Sequence, residues 1–294
     1  MLMEVGVDTA QPAGGPTVLR RLLGAQLRRL RERQGITREE AGYAIRASGS
    51  KMSRLELGRV GFKERDVADL LTLYGVTDDT DRDTLLALAQ DANSPGWWHR
   101  YGDVLPGWFE TYVGLEEAAA LVRTYEVQFI PGLLQTEEYA RAVISLGNSA
   151  SPPDEIEQRV SLRITRQKLL TRGDAPRLWA VVDEAALRRP IGGRDVMRGQ
   201  IQRLIEATKL PGVILQVLPF RVGGHTAEAG AFTILRFPES DLPDVVYVEQ
   251  LTSALYLDRR DDVDSYMEAM ERLCVISAPP DNTAEILSRI LQET

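Results

Sequence analysis

Between Val18 and Asp91 the sequence is punctuated too often for a long helix, and its apolar spacing is wrong for strands. Leu19, Leu22, Leu23, Leu27 and Leu30 recur at helical intervals, and Gly35 stops that helix. Two residues later Thr37 is a good N-cap, with Glu39 and Glu40 in the first turn, where the helix dipole favours acidic groups. This second helix can run only to about Ile45, because Ser48-Gly49-Ser50 supplies the next turn and cap. A third helix reaches Glu56 and is closed by Leu57-Gly58-Arg59. A fourth follows near Glu64–Leu73, burying Val67, Leu70, Leu71 and Tyr74, and a fifth near Asp81–Asp91. The pattern predicts an all-α domain of five short helices, with the second and third joined by a tight turn, which is a helix-turn-helix arrangement.

Charge separates this region from the rest. The chain of 294 residues has a formal net charge of −8, which alone argues against a nucleic-acid binder. Yet 13 of the 35 Lys and Arg lie between Pro16 and Arg65, with only 5 of the 43 Asp and Glu. The remainder carries 22 basic and 38 acidic residues. A basic module on an acidic body is the footprint of a chain that meets phosphates at one end. Length suggests about two domains at roughly 150 residues each. We divide the chain into a tail (1–15), a helix-turn-helix domain (16–92) and a second domain (93–294), with Asn93-Ser94-Pro95-Gly96 as the boundary turn. The single cysteine, Cys274, excludes an internal disulfide and a thiolate-clustered metal site, and the two histidines, His99 and His225, leave little for a histidine-rich one. No apolar run reaches the roughly 18–20 residues that span a bilayer, and the start lacks a signal-peptide pattern. The expectation is a cytoplasmic protein with no membrane association and no cofactor.

The stretch Gly35-Ile36-Thr37-Arg38-Glu39-Glu40-Ala41-Gly42, followed by Ala47-Ser48-Gly49-Ser50-Lys51-Met52-Ser53-Arg54-Leu55-Glu56-Leu57-Gly58-Arg59, resembles the DNA-binding domain of Xre-type (lambda-repressor-like) regulators. It departs from that pattern at Arg38, where the family often has Gln, and at Ala41-Gly42, where Leu-Ala is usual, a change expected to loosen the packing of the second helix. The resemblance implies that Gly49, Ser50, Lys51 and Arg54 face bases. Lys51 and Arg54 are the expected readers, since both side chains can donate to guanine O6 and N7. Thr37, Arg38, Ser48, Arg59 and Lys63 are then the expected phosphate contacts, which set register rather than sequence choice. Met52 and Leu55 should point into the core. Glu56 is expected to form a structural ion pair with Arg31 of the first helix.

The second domain is less explicit. Trp97, Trp98 and Trp108 fall within twelve residues, with Tyr101, Tyr125 and Phe129 close behind. Such aromatics fill a core, line a ligand pocket or form a docking surface, and these six are the candidates for a partner or ligand surface. Helical patterns recur at Gly114–Arg123, Glu137–Ser145, Glu155–Leu170, Val196–Leu210, Val263–Cys274 and Asn282–Gln292. Short apolar runs bounded by Pro and Gly, Leu178–Val182 and Val213–Leu218, read as strands, and three more are expected at Ala231–Phe237, Val245–Glu249 and Ala254–Leu257. The expected fold is α+β with a roughly five-stranded sheet and flanking helices. Trp97–Tyr101, Tyr125–Thr136, Leu178–Arg189 and Gln216–Phe220 resemble the C-terminal domain, described as antitoxin-like, of a group of actinobacterial Xre-type regulators. That resemblance implies a small partner protein.

No catalytic constellation stands out. Asp183 and Glu184 are adjacent carboxylates without an identifiable acid/base partner, and there is no Walker loop, G-x-G-x-x-G or H-E-x-x-H. The sequence therefore favours a DNA-binding regulator over an enzyme. A small domain of this kind contacts few base pairs, so specific binding to double-stranded DNA calls for a homodimer on a pseudo-palindromic operator. The second domain would mediate dimerisation and hold the small partner protein, or alternatively would sense a small-molecule ligand.

Overall fold

The computed structural model describes residues 15–227, 230–239 and 242–294. The expected tail at 1–15 lies outside them except for Gly15. The chain divides into two compact units, residues 1–99 with 239–242, and residues 100–238 with 243–294.

The first unit is all-α: α1 (Pro16–Arg33), α2 (Arg38–Ala44), α3 (Gly49–Glu56), α4 (Glu64–Leu73) and α5 (Asp79–Ala92). Local chemistry explains the breaks. Thr37 forms a full capping box with Glu40, and the side chains of Ser48 and Asp78 accept from the third residue of α3 and of α5. Leu23, Leu27, Met52, Leu70 and Leu71 are fully excluded from solvent and form one core with Leu55 and Tyr74. The tight α2–α3 turn depends on Gly42, because a Cβ there would sit 2.8 Å from the carbonyl oxygen of Ala47. Gly42 therefore admits a close backbone approach rather than loosening the second helix.

The second unit is α+β around a mixed six-stranded sheet: β1 (Leu121–Glu126), β2 (Arg177–Asp183), β3 (Val213–Leu218), β4 (Phe232–Arg236), β5 (Val245–Glu249) and β6 (Ala254–Leu257). The order is β3-β2-β1-β4-β5-β6. β1, β2 and β3 are parallel, and β4, β5 and β6 continue the sheet antiparallel. Helices α6 (Gly107–Ala118), α7 (Glu137–Gly147), α8 (Pro153–Gln167), α9 (Glu184–Arg188), α10 (Arg194–Ala207), α11 (Arg260–Ile276) and α12 (Thr283–Glu293) complete the unit. The parallel half needs crossovers, and helices supply them between β1 and β2 and between β2 and β3.

β1 corrects the expectation of a helix at Gly114–Arg123. That helix ends at Ala118, and the chain then enters the middle of the sheet. The strand was concealed because its pattern, Leu-Val-Arg-Thr-Tyr-Glu, mixes charge into a central position. Inside the fold Arg123 stacks over Trp179 at 5.1 Å, and Thr124 hydrogen-bonds Thr233 at 2.9 Å across the strands. Side chains alternate along each strand. Tyr125, Phe232, Ile234 and Val246 therefore share one face, where they join Met270 and Leu273 of α11 in a core. The other face carries Thr124, Glu126, Thr233, Tyr247 and Glu249.

Candidate nucleic-acid interface and second-unit cavity

Glu56 sits at the end of α3 with a side chain only 1% exposed. Arg31 of α1, 8% exposed, donates to it through both Nε and Nη2, and Arg31 Nη1 holds the carbonyl of Ile36 at 2.7 Å. The hydrogen bond to Glu56 is the largest influence on Arg31 and raises its pKa further. Arg38 Nε adds a third charged donor to Glu56 at 3.0 Å. One carboxylate thus joins α1, α2 and α3, so the angle at which α3 is presented is set by a buried cluster. Close packing reinforces it. A Cβ on Gly24 of α1 would lie 2.6 Å from the carbonyl oxygens of Leu55 and Glu56.

The expected contact residues separate into two sets. Ser48, Ser50, Arg54, Arg59 and Lys63 are exposed, and Gly49 is partly so. Ser48 uses its oxygen to cap α3 by accepting from Lys51 N, which leaves its hydroxyl hydrogen free to donate. Arg54, Arg59 and Lys63 make no ion pair or side-chain hydrogen bond among the described residues, so their charge is available. The other set is engaged within the fold. Thr37 spends its hydroxyl and its N–H on Glu40, and Arg38 is tied to Glu56. Lys51 is 35% exposed, with Nζ 3.4 Å from the buried Asp66. Met52 and Leu55 face the core at 0% and 2% exposure. Sequence reasoning missed two residues here. Asp66 anchors Lys51, and its position in the first turn of α4 gave no signal of burial. Arg46 lies in the turn before α3 with φ +55°, exposed and without an ion pair among the described residues.

The six aromatic candidates scatter. Trp98, Tyr101 and Tyr125 are buried at 2%, 8% and 0%, so they correct the expectation of a surface and act as core. Trp97 and Trp108 are half-buried. Tyr101 hydrogen-bonds Ser161 at 3.2 Å, and Tyr125 meets His225 at 3.2 Å. Of the six, Phe129 lines a cavity of about 560 Å³ in the second unit, within the size range of small-molecule sites.

The floor of this cavity is the sheet face carrying Glu126, Thr233, Tyr247 and Glu249, and its walls include Phe109 and Tyr112 of α6 and Arg163 and Arg166 of α8. Arg166 is neutralised: it donates to Glu116 at 2.8 and 2.7 Å and stacks over Phe109 and Tyr112 at 5.0 and 5.3 Å. Arg163 donates to Gln135 Oε1 at 2.9 Å and has no ion pair among the described residues. Burial, with help from Arg166, pulls Arg163 down to about 10. Glu249 accepts from the Tyr247 hydroxyl at 2.9 Å. Glu126 has no hydrogen bond or ion pair among the described residues, and burial together with Glu249 pushes its carboxyl up to about 8. No group of His, Cys, Asp or Glu among the described residues is arranged to hold a metal ion. No helix among the described residues is long and apolar enough to cross a membrane.

Residues 22–85 match a helix-turn-helix domain family, and with α2 and α3 joined by a tight turn the chain is a DNA-binding regulator of the helix-turn-helix class. Residues 109–289, more than half of the chain, match the family described as a domain of unknown function (DUF5753), and the chain belongs to that family. No curated protein and no solved structure matches it.

Proposed function

We propose that this chain is a cytoplasmic, sequence-specific transcription regulator of the Xre type, with α3 as the helix that enters the major groove. The observation that carries this reading is the exposed, uncommitted set of Ser50, Arg54, Arg59 and Lys63 on the basic segment Pro16–Arg65, whose α3 is anchored by Arg31 and Glu56. Arg54 reads a base edge, Arg59 and Lys63 hold phosphates, and Ser48 donates to the backbone. Lys51 contributes to recognition by exchanging Asp66 for a guanine or a phosphate. The protein acts as a homodimer on a pseudo-palindrome with half-sites about one helical turn apart. Its acidic body keeps contacts to the N-terminal face. It is not an enzyme, and its second unit is antitoxin-like, binding a small partner protein as the resemblance to the actinobacterial group implies. Capture of sheared genomic DNA by the purified full chain, followed by sequencing, tests this. Enriched two-fold-symmetric sites that Arg54→Ala loses are expected, and retention of the same sites by Arg54→Ala refutes the docking.

The cavity in the second unit supports a second reading, a one-component regulator whose second unit senses a small molecule. A ligand that binds there and shifts operator affinity is the expected behaviour.

A further inference from the structure

The cavity has a charge arrangement that selects among ligands. Tyr125 pairs with Phe232, and Thr233 pairs with Tyr247. Continuing these registers, one residue beyond the first pair and two beyond the second, Ala231 falls opposite both Glu126 and Glu249, and the three form a row on the cavity face. Strands are about 4.8 Å apart, so the two acidic residues stand roughly 10 Å apart across β4. Between them the row holds only the methyl group of Ala231, which opens a recess in the floor. Around it stand aromatic rings, Phe109 and Tyr112 on one side and Phe129 and Tyr247 on others.

With Glu126 ionised the charges do not balance. Arg166 and Glu116 cancel each other. Arg163 remains as one cation against two carboxylates, Glu126 and Glu249. Of these, Glu126 is left without a partner among the described residues. An anionic ligand would face the Glu249 carboxylate, and Glu126 as well once it ionises. A metal ion would find its two carboxylates too far apart. A protonated amine would supply the missing positive charge, and the rings would cover its apolar body and favour its cation.

Building on the reading of the second unit as a sensor, we propose that this cavity binds a small organic monoamine with an apolar or aromatic body, its ammonium seated over Ala231 between Glu126 and Glu249. The titratable groups that interact with Glu126 are Glu249 from β5, Arg163 from α8, Tyr112 from α6, Tyr139 from α7 and its neighbour Tyr125 on β1. Glu249 and burial keep its carboxyl protonated at neutral pH when the cavity is empty. An ammonium beside it favours the ionised form. Binding therefore releases a proton, and amine affinity rises with pH up to about 8.

The test uses the full chain, with phenethylamine and benzyltrimethylammonium as cationic probes and 3-phenylpropionate and 2-phenylethanol as matched anionic and neutral ones. Calorimetric titration at millimolar probe should show the cations binding, more tightly at pH 8 than at pH 6.5, with a heat that depends on the buffer's ionisation enthalpy. Glu126→Gln and Glu249→Gln, checked by melting in the absence of probe, should each weaken cation binding by about tenfold or more. Glu126→Gln should also abolish the buffer dependence. Preferential binding of the carboxylate or the alcohol, no heat from either cation, or cation affinity unchanged in both variants overturns the proposal. Operator affinity separates it from the sensor reading. Cation binding that leaves operator affinity unchanged preserves the amine site and removes sensing, whereas a phenylpropionate-dependent change in operator affinity preserves sensing and removes the amine.

Discussion

Glu56→Ala tests whether one carboxylate fixes the presentation of α3. Its side chain is 1% exposed and takes both Nε and Nη2 of Arg31, itself 8% exposed. Removing it leaves Arg31 buried with Ile36 O as its one remaining partner outside the neighbouring Glu32, so the penalty is that of an uncompensated buried charge, about 3–5 kcal/mol. Arg38, at 41% side-chain exposure, can return to water and adds little. In a unit of about a hundred residues each kcal/mol moves the midpoint by about 4–8 °C. The N-terminal transition of the full chain should therefore fall by at least about 12 °C in calorimetry, with the transition of the second unit unmoved. Arg31→Met combined with Glu56→Leu removes both charges and should recover most of the loss, because a buried pair stabilises little relative to apolar residues of similar size. A loss below about 1 kcal/mol, or a double variant no better than Glu56→Ala, would refute the argument.

Three further outcomes follow from the same geometry. Arg54→Ala should cost about 1–3 kcal/mol of operator affinity and relax one base position, while Arg59→Ala should weaken all sequences alike and lower the salt slope by about 1, both read by fluorescence anisotropy over a salt series. Gly24→Ala, which drives a methyl to 2.6 Å from two carbonyl oxygens of α3, should destabilise the first unit by about 1–3 kcal/mol in urea titrations. Glu126 is held at about 8 in the fold against about 4.3 in an unfolded chain, so the folded state binds the extra proton between those values and stability of the second unit declines as pH rises through them. Glu126→Gln should flatten that decline in melting curves, and an unchanged slope would show that the carboxyl is not desolvated.

The first unit was legible because its information is local. Thr37, Ser48 and Gly35 are caps and stops that act within one helical turn, and the Leu and Met spacing writes the core directly into the periodicity. What the sequence could not express was the commitment of charges across helices. Lys51 and Arg38 look like free cations in one dimension, and only the fold brings Asp66 and Glu56 against them. The contacts available without rearrangement therefore narrow to the residues with no such partner, Arg54, Arg59 and Lys63, joined by Ser48 and Ser50, while Lys51 must first leave Asp66.

The second unit was harder to read for the opposite reason, since its informative residues work through long-range pairing. β1 lies at the centre of the sheet yet carries Arg123, which stacks on Trp179 of β2, and Glu126, whose electrostatic surroundings come from β5 and α8. Aromatic clustering pointed to Trp97–Tyr101, where local density is high, but Trp98 and Tyr101 are spent on packing. The cavity instead collects single residues from distant segments, Phe109, Phe129, Arg163 and Glu249, none conspicuous alone. Its chemistry resides in an imbalance, two carboxylates against one uncommitted guanidinium, that exists only once β1, β4 and β5 are in register. On the proposed reading, the residues that would touch DNA stand on a locally encoded scaffold, while the site that would take a modulator is assembled by global folding alone.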